Sequence, residues 1–343
     1  MSTGRQGTSS RRENAAKKSA AWVLSARPCL AIVVFAGFAL LPLVAFAAGD
    51  PFVLVTATRI MVFAIAALSL DLILGYGGMV SFGHAAFIGL GAYTVGIAAA
   101  HGITELILQA ALAMLVAVVF ALVTGAISLR TKGVYFIMIT LAFGQMAFFF
   151  MVSLSAYGGD DGLTLGARSV LAGQGILEND YAFYYLVLAV LLAFFLLAKS
   201  IIGSRFGRVL RGIHDNPERM RAIGFSPFPY QLAAYCIAGT MAAIAGVLLA
   251  NQTEFVSPAF MTWQRSGELI MVVVLGGMGT LTGPIVGAAA FLLLEEWLAG
   301  LSEHWKFGLG LAIILIVLFT RGGIVGFIAR VSGRHGPAER RDG

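Results

Sequence analysis

Apolar residues run through this chain in long stretches, separated by short segments that are charged or rich in glycine. Each stretch approaches the roughly 20 residues that an α-helix needs to cross a hydrocarbon core about 30 Å thick. Spans are predicted at about 28–48, 53–74, 79–100, 106–128, 133–156, 181–201, 229–250, 267–281, 284–302 and 307–321. The expectation is an all-α polytopic membrane protein of about ten transmembrane helices with glycine-broken segments. The first stretch follows a basic leader and ends in AFA, as a secretory signal would. Its apolar core of about 20 residues exceeds the usual 7 to 15 of a signal, so it is read as a retained helix.

Composition agrees with a membrane setting. The chain is 59% hydrophobic and 12% charged, whereas soluble domains are nearer half apolar and a quarter charged. With both termini cytoplasmic, 19 of the 23 Lys and Arg fall on the inner side of the ten-span arrangement, the bias expected of cytoplasmic loops. The outer segments instead collect acids, among them Asp50, Glu105, Asp160, Asp161, Glu178, Asp180 and Glu254. This divides the chain into a basic cytoplasmic tail at 1–27, a membrane domain at 28–328 and a second basic cytoplasmic tail at 329–343. The longest inner loop falls at 202–228 and the longest outer loop at 157–180. Topology accounts for the net charge of +6, so nucleic acid is not needed as a partner. Cys29 and Cys236 lie in separate apolar stretches and form no disulfide framework or metal-ligand spacing.

Three stretches rise above hydrophobicity. LILGYGGMVSFGHAAFIGLGAY, residues 72–93, carries Gly75, Gly78, Gly83, Ser81 and His84 inside an otherwise apolar region. Such glycine density lets the chain unwind between two helices, which lipid tolerates only where the backbone is buried in protein or lines a polar cavity. Beyond the break, Ser81, Ala85, Gly89, Ala92 and Gly96 form a stripe of small residues suited to close packing. The second stretch, LGGMGTLTGPIVGA at 275–288, contains Gly277, Gly279 and Thr280. It mimics a dinucleotide-binding turn, but Thr282 stands where the third glycine or alanine belongs and the setting is membrane. Two breaks in the two halves of a chain fit the transporter habit of placing discontinuous helices around a midplane site.

The third stretch is the inner loop at 203–235. Asn216 caps a predicted helix whose first position is Pro217, Glu218 sits in its first turn, and Gly224 ends it. A helix so carefully specified between two membrane spans reads as a docking element for a cytoplasmic partner.

Four blocks together carry a family resemblance: LGYGGMVSFGHAAFIGLGAYT at 74–94, KGVYFIMITLAFGQM at 132–146, FGRVLRGIHDNPERMRAIG at 206–224 and GGMGTLTGPIVGAA at 276–289. In this order they resemble the permease subunits of branched-chain amino acid ABC importers, the LivM family. The resemblance implies a type II ABC importer-like permease in a bacterial inner membrane. It implies a homologous second permease, two cytoplasmic ATPases and an extracytoplasmic substrate-binding protein as partners, with no cofactor and no enzymatic activity of its own. Asn216, Pro217, Glu218, Arg219, Ala222 and Gly224 are then the residues facing the ATPase, and the acidic outer loop faces the binding protein or is a mere connector. Met79-Val80 and His214-Asp215-Asn216-Pro217 depart from the family's commoner pattern, so urea and short amides stand beside branched-chain amino acids as cargo.

No G-x-x-x-x-G-K-[ST] occurs, so ATP hydrolysis is expected from another subunit. The glycine breaks, with Asp71, Gly75, Gly78, Ser81, Gly83, His84, Gly277, Gly279 and Thr280, are the expected substrate pathway and hinges. Asp71, costly inside a membrane unless paired or hydrated, either caps the broken helix or meets a substrate ammonium. Arg59 is expected to snorkel to the outer interface. The main rival is an ion-coupled transporter with Asp71 and His84 as its relay. A membrane enzyme would want convergent His, Asp or Glu residues, and the spans supply no such cluster.

Overall fold

The computed structural model describes residues 30–46, 51–301, 304–319 and 322–332. The expected tail at 1–27 and the part of the second tail beyond residue 332 lie outside them. The described chain is helical almost throughout. In order come α1 (Leu30–Phe46), α2 (Pro51–Leu74), α3 (His84–Ala100), α4 (Leu106–Ser128), α5 (Val134–Ser153) and α6 (Asp180–Gly203). The short α7 (Arg205–Asp215) and α8 (Pro217–Ala222) precede α9 (Pro227–Thr253), α10 (Trp263–Gly276), α11 (Gly283–Leu301), α12 (Trp305–Phe319) and α13 (Gly323–Ser332).

Among the described residues, six helices are long and apolar enough to cross a membrane: α2, α4, α5, α6, α9 and α11. The other expected spans correspond to shorter elements, α1, α3, α10 and α12. Residues 75–83 are not helical, so α3 starts at His84 rather than near 79. The 14 residues of α10 cover only about 21 Å at 1.5 Å per residue. Before it, residues 254–262 descend into the bundle: Met261 packs on Gly89, within the first two turns of α3. Val256 and Met261 in this irregular segment are fully enclosed, which keeps non-helical backbone away from lipid.

The bundle has a centre and a periphery. In α2 and α9 72% of the membrane-length window is buried, against 22–33% in α4, α5, α6 and α11. α9 packs against α2, α3 and α4 through a run of alanines and glycines. A Cβ on Gly91 of α3 would strike the Ala243 carbonyl of α9, and one on Gly246 of α9 would strike the Ile88 carbonyl of α3. Between apolar helices in lipid, such close approach supplies the packing energy that hydrophobic burial does not. The predicted small-residue stripe on α3 does a different job. Gly89 receives Met261, and Gly96 receives the side chains of Leu163 and Val256, so this face accommodates irregular segments instead of a helix.

The connections gather at two opposite ends. At the first, β1 (Leu163–Thr164) pairs antiparallel with β2 (Phe255–Val256), Leu163 opposite Val256. Arg168, its side chain only 13% exposed, pairs with Asp180 at 2.7 Å and Glu254 at 3.3 Å and donates to the Leu177 carbonyl at 3.1 Å. Ser169 donates its hydroxyl to Gln109 and its N–H to Asn251. Glu105 accepts from the Gly173 and Ala172 N–H groups at 2.6 and 3.2 Å. The loop expected at 157–180 is thereby fastened to the ends of α4, α6 and α9. Near this end Arg59 lies 3.5 Å from Glu295 of α11 and over the Phe63 ring, so it is paired as well as half-exposed. The second end gathers both glycine breaks, the turn between α4 and α5, and the α7–α8 pair.

Candidate functional site

α2 ends in a tight backbone arrangement. The Gly75 N–H donates to the Asp71 carbonyl at 2.7 Å, Gly78 N–H to Leu74 at 3.1 Å and Met79 N–H to Ile73 at 2.8 Å. Gly78 takes φ +67° to turn the chain away, a conformation that L side chains adopt at a cost. Five residues later α3 begins with Gly83, whose missing side chain leaves room for the Thr140 carbonyl of α5. No side chain in the break caps α3. The Ala85 N–H instead donates to the buried Ser266 hydroxyl of α10 at 3.0 Å, one of the orphan donors of a helix start met from a distant element. His84 Nε2 lies 2.8 Å from the Ser69 hydroxyl of α2, which itself donates to the Ala66 carbonyl. This contact joins the last turns of α2 to the start of α3. Ser81 and His84 are both fully enclosed.

The second break lies directly against the first. Gly277 has φ +117° and Gly279 φ +68°, and the Thr280 hydroxyl donates to the Gly277 carbonyl at 2.6 Å. Asp71, 1% exposed, accepts the Gly279 N–H on Oδ1 at 2.8 Å. Its Oδ2 has no hydrogen-bond partner among the described residues. A Cβ on Gly75 would collide with both Asp71 Oδ1 and the Gly279 N–H, so glycine is required for the breaks to touch. Asp71 therefore neither caps its own helix nor faces an open space; it ties two segments 208 residues apart. On the far side, a Cβ on Gly323 at the start of α13 would run into the Gly277 backbone, so these two glycines lie directly against each other.

The inner-loop segment forms two helices where one was expected. Ser204 caps α7 by accepting from the Gly207 N–H at 3.3 Å, and Asn216 caps α8 by accepting from the Arg219 N–H at 2.9 Å. Pro217 sits at the first position of α8. Gly224, at φ +92°, closes it: the Phe225 N–H reaches the Met220 carbonyl and the Gly224 N–H the Arg221 carbonyl, the double bond of a Schellman ending. Val209, Ile213 and Met220 with Tyr230 fasten the pair to α9. Glu218, Arg219, Ala222, Ile223 and Gly224 are left on the exposed side, Ile223 at 62%. Glu218 pairs with Arg221 at 2.8 Å and weakly with Lys132 at 3.9 Å.

His214, the penultimate residue of α7, sits on Gly78. A Cβ on that glycine would run into the imidazole ring. Beside this contact a cavity of about 520 Å³ opens, lined by Gly77, Gly78, Arg130, Lys132, His214 and Arg221 among others. Of the expected pathway residues, Gly78 lines this cavity, while Asp71, Ser81, Gly83 and His84 are enclosed. A second, mostly apolar cavity of about 440 Å³ lies toward the first end between α2, α3, α9 and α10, with Arg59 and Arg265 among its lining residues. Ser69, Ser266, Arg168 and the seat of His214 are the parts that sequence reasoning missed. Only Arg168 carries a signal, as a lone base in an otherwise acidic outer loop.

Comparison with known proteins adds the family. The model of the branched-chain amino acid transport system permease component matches residues 52–319. High-affinity branched-chain amino acid transport system permease proteins LivM of Salmonella typhimurium and Escherichia coli are each 26% identical over 293 residues, 78% of this chain and 69% of theirs. A probable branched-chain amino acid transport permease protein LivM of Methanocaldococcus jannaschii is 25% identical over 72% of this chain and 81% of its own. An autoinducer 2 import system permease protein LsrC of Salmonella typhi is 29% identical, over 46% of this chain and 47% of its own. No solved structure matches the chain significantly. The enclosed bundle, its paired breaks and the matched span lead to one assignment: the chain belongs to the family of branched-chain amino acid transport permease components, and is a multi-pass membrane transport subunit rather than an enzyme.

Proposed function

We propose that this chain is the membrane permease of an ATP-driven importer for branched-chain or other small amino acids, with the break end facing the cytoplasm. The carrying observation is the seat of His214 on Gly78. It joins the exposed, doubly capped α8 to the backbone break of α2 within one residue of contact. A separate ATPase that grips Glu218, Arg219, Ala222, Ile223 and Gly224 would move α7 with α8, because Val209, Ile213 and Met220 bind them into one body. Movement of α7 bears on Gly78, where the backbone is already non-helical. Push and release at this point would alternate access between the two ends, a hinge motion absorbed by a few backbone positions. A homologous second permease and two ATPases complete the assembly. A substrate-binding protein would meet the opposite end, where Arg168 and Glu105 hold the loop as a firm platform.

The rival reading is an ion-coupled relay: Asp71 Oδ1 and His84 Nε2 are engaged by protein atoms, while Asp71 Oδ2 and His84 Nδ1 have no hydrogen-bond partner among the described residues. The test is uptake of radiolabelled leucine into proteoliposomes holding this chain with its partner permease, ATPases and binding protein, with and without internal ATP. Wild type is expected to accumulate leucine only with ATP. Glu218→Lys, in an assembly that still co-purifies, is expected to lose most of that uptake. Uptake by this chain alone on an ion gradient would sink the proposal. ATP-dependent uptake of urea or a short amide, without leucine, would keep the machine and change its cargo.

A further inference from the structure

We infer that Asp71 is a positioning residue, a latch that holds the two glycine breaks together in this access state through the Gly279 N–H and lets go during each transport cycle. The inference rests on the permease reading above. Its geometry has three parts. First, the bond is long-range and buried: Asp71 Oδ1 to Gly279 N, 2.8 Å, with Asp71 1% exposed. Second, Asp71 stands in the last turn of α2, three residues before its end at Leu74, and Gly279 lies on non-helical backbone. Gly75 and Gly78 close α2, while Gly277 and Gly279 separate α10 from α11 with positive φ. No helix has to be broken to part them. Third, the carboxyl is held by one bond only, Oδ2 having no partner among the described residues.

A buried carboxylate is costly in a membrane and is retained where it does something. A single buried hydrogen bond to a carboxyl oxygen supplies a restraint strong enough to define a state and weak enough to be broken by ATP-driven movement. The path of that movement is on hand. α8 is exposed, α7 carries His214, His214 rests on Gly78, and Gly78 lies one helical turn beyond Asp71–Gly75. Displacing Gly78 therefore pulls on the segment that carries the latch, and Gly279 transmits the change to the α10–α11 turn and, through Gly277, to Gly323 of α13.

The reconstituted assembly tests this with Asp71→Asn and Asp71→Leu. Asparagine keeps an acceptor oxygen for the Gly279 N–H, so KM and maximal uptake should stay within about threefold of wild type. Leucine fills the space without an acceptor and should lower maximal uptake about tenfold or more, the factor for one buried hydrogen bond, with KM unchanged and ATP hydrolysis continuing uncoupled. Hydrogen exchange of the peptide covering residues 276–282 provides a readout that does not depend on any substitution. In wild type it should quicken when ATP and loaded binding protein are supplied together. A tenfold rise in KM for Asp71→Asn would make Asp71 a substrate ligand and overturn the latch. So would wild-type uptake by Asp71→Leu, or exchange at 276–282 unaltered by turnover. Wild type without ATP-dependent uptake would instead overturn the permease reading, and the latch with it.

Discussion

The two ends of the bundle are held in opposite ways. At the end carrying the strand pair, side chains do the fastening: Arg168 meets Asp180, Glu254 and the Leu177 carbonyl, Glu105 takes two N–H groups, and Ser169 joins Gln109 to Asn251. Many bonds from several elements make that end resist change, and no one of them defines a state. At the end carrying the glycine breaks, bare backbone touches bare backbone and a single carboxyl spans the gap. Positive-φ glycines in close backbone contact carry that region. On the proposed reading the first end is the platform and the second the hinge.

The contrast predicts where substitution hurts. The largest effect is expected from Gly75→Ala, whose methyl group would occupy the place of Asp71 Oδ1 and the Gly279 N–H. Maximal uptake should fall at least about a hundredfold, equivalent to some 3 kcal/mol, while thermal unfolding of the purified complex shifts little; an equal loss of folded complex would make the break a packing feature. Next comes Arg168→Ala. It should destabilise the complex by about 1–3 kcal/mol, since it strips a largely buried cation from two acids and a carbonyl, yet leave KM and coupling nearly intact. Thermal unfolding monitored alongside uptake separates the two, and a coupling defect without destabilisation would erase the distinction between the ends.

Asn216→Ala removes the cap of α8 and should cost about 1 kcal/mol locally. The ratio of leucine moved to ATP hydrolysed would drop severalfold, with global unfolding unchanged. The smallest effect belongs to Lys132→Ala. Its 3.9 Å contact with Glu218 joins two side chains that are 68% and 70% exposed, so stability should change by no more than about 0.5 kcal/mol and uptake by less than twofold. A large loss there would place Lys132 in the ATPase contact.

The local features at these positions were readable early. The glycine runs at 75–83 and 276–283 and the Asn216-Pro217 start and Gly224 stop of α8 express preferences of neighbouring residues and appear where expected, whereas six of the ten expected spans reach membrane length among the described residues. The errors arose where distant residues intervene. α3 was expected to run from about 79, but it starts at His84 because the break extends that far and Ser266, 181 residues away, meets the Ala85 N–H. The inner loop carries a further helix, α7, ahead of the expected α8, and Gly212 leaves space for Met220, so that α8 folds back against it. Arg59, expected to reach for the interface, is half-exposed and pairs there with Glu295, a partner that local sequence does not name.

Chain chemistry alone was thus enough to specify a membrane bundle, its two glycine breaks and its capped inner-loop helix, since hydropathy, helix caps and glycine freedom act over a few residues. It could not reveal that the breaks meet, that Asp71 belongs to Gly279, that His214 rests on Gly78, or that Arg168 anchors the opposite loop. A buried hydrogen bond or a glycine contact has no signature until folding brings its partners within a few ångströms, and here those partners lie up to 208 residues apart.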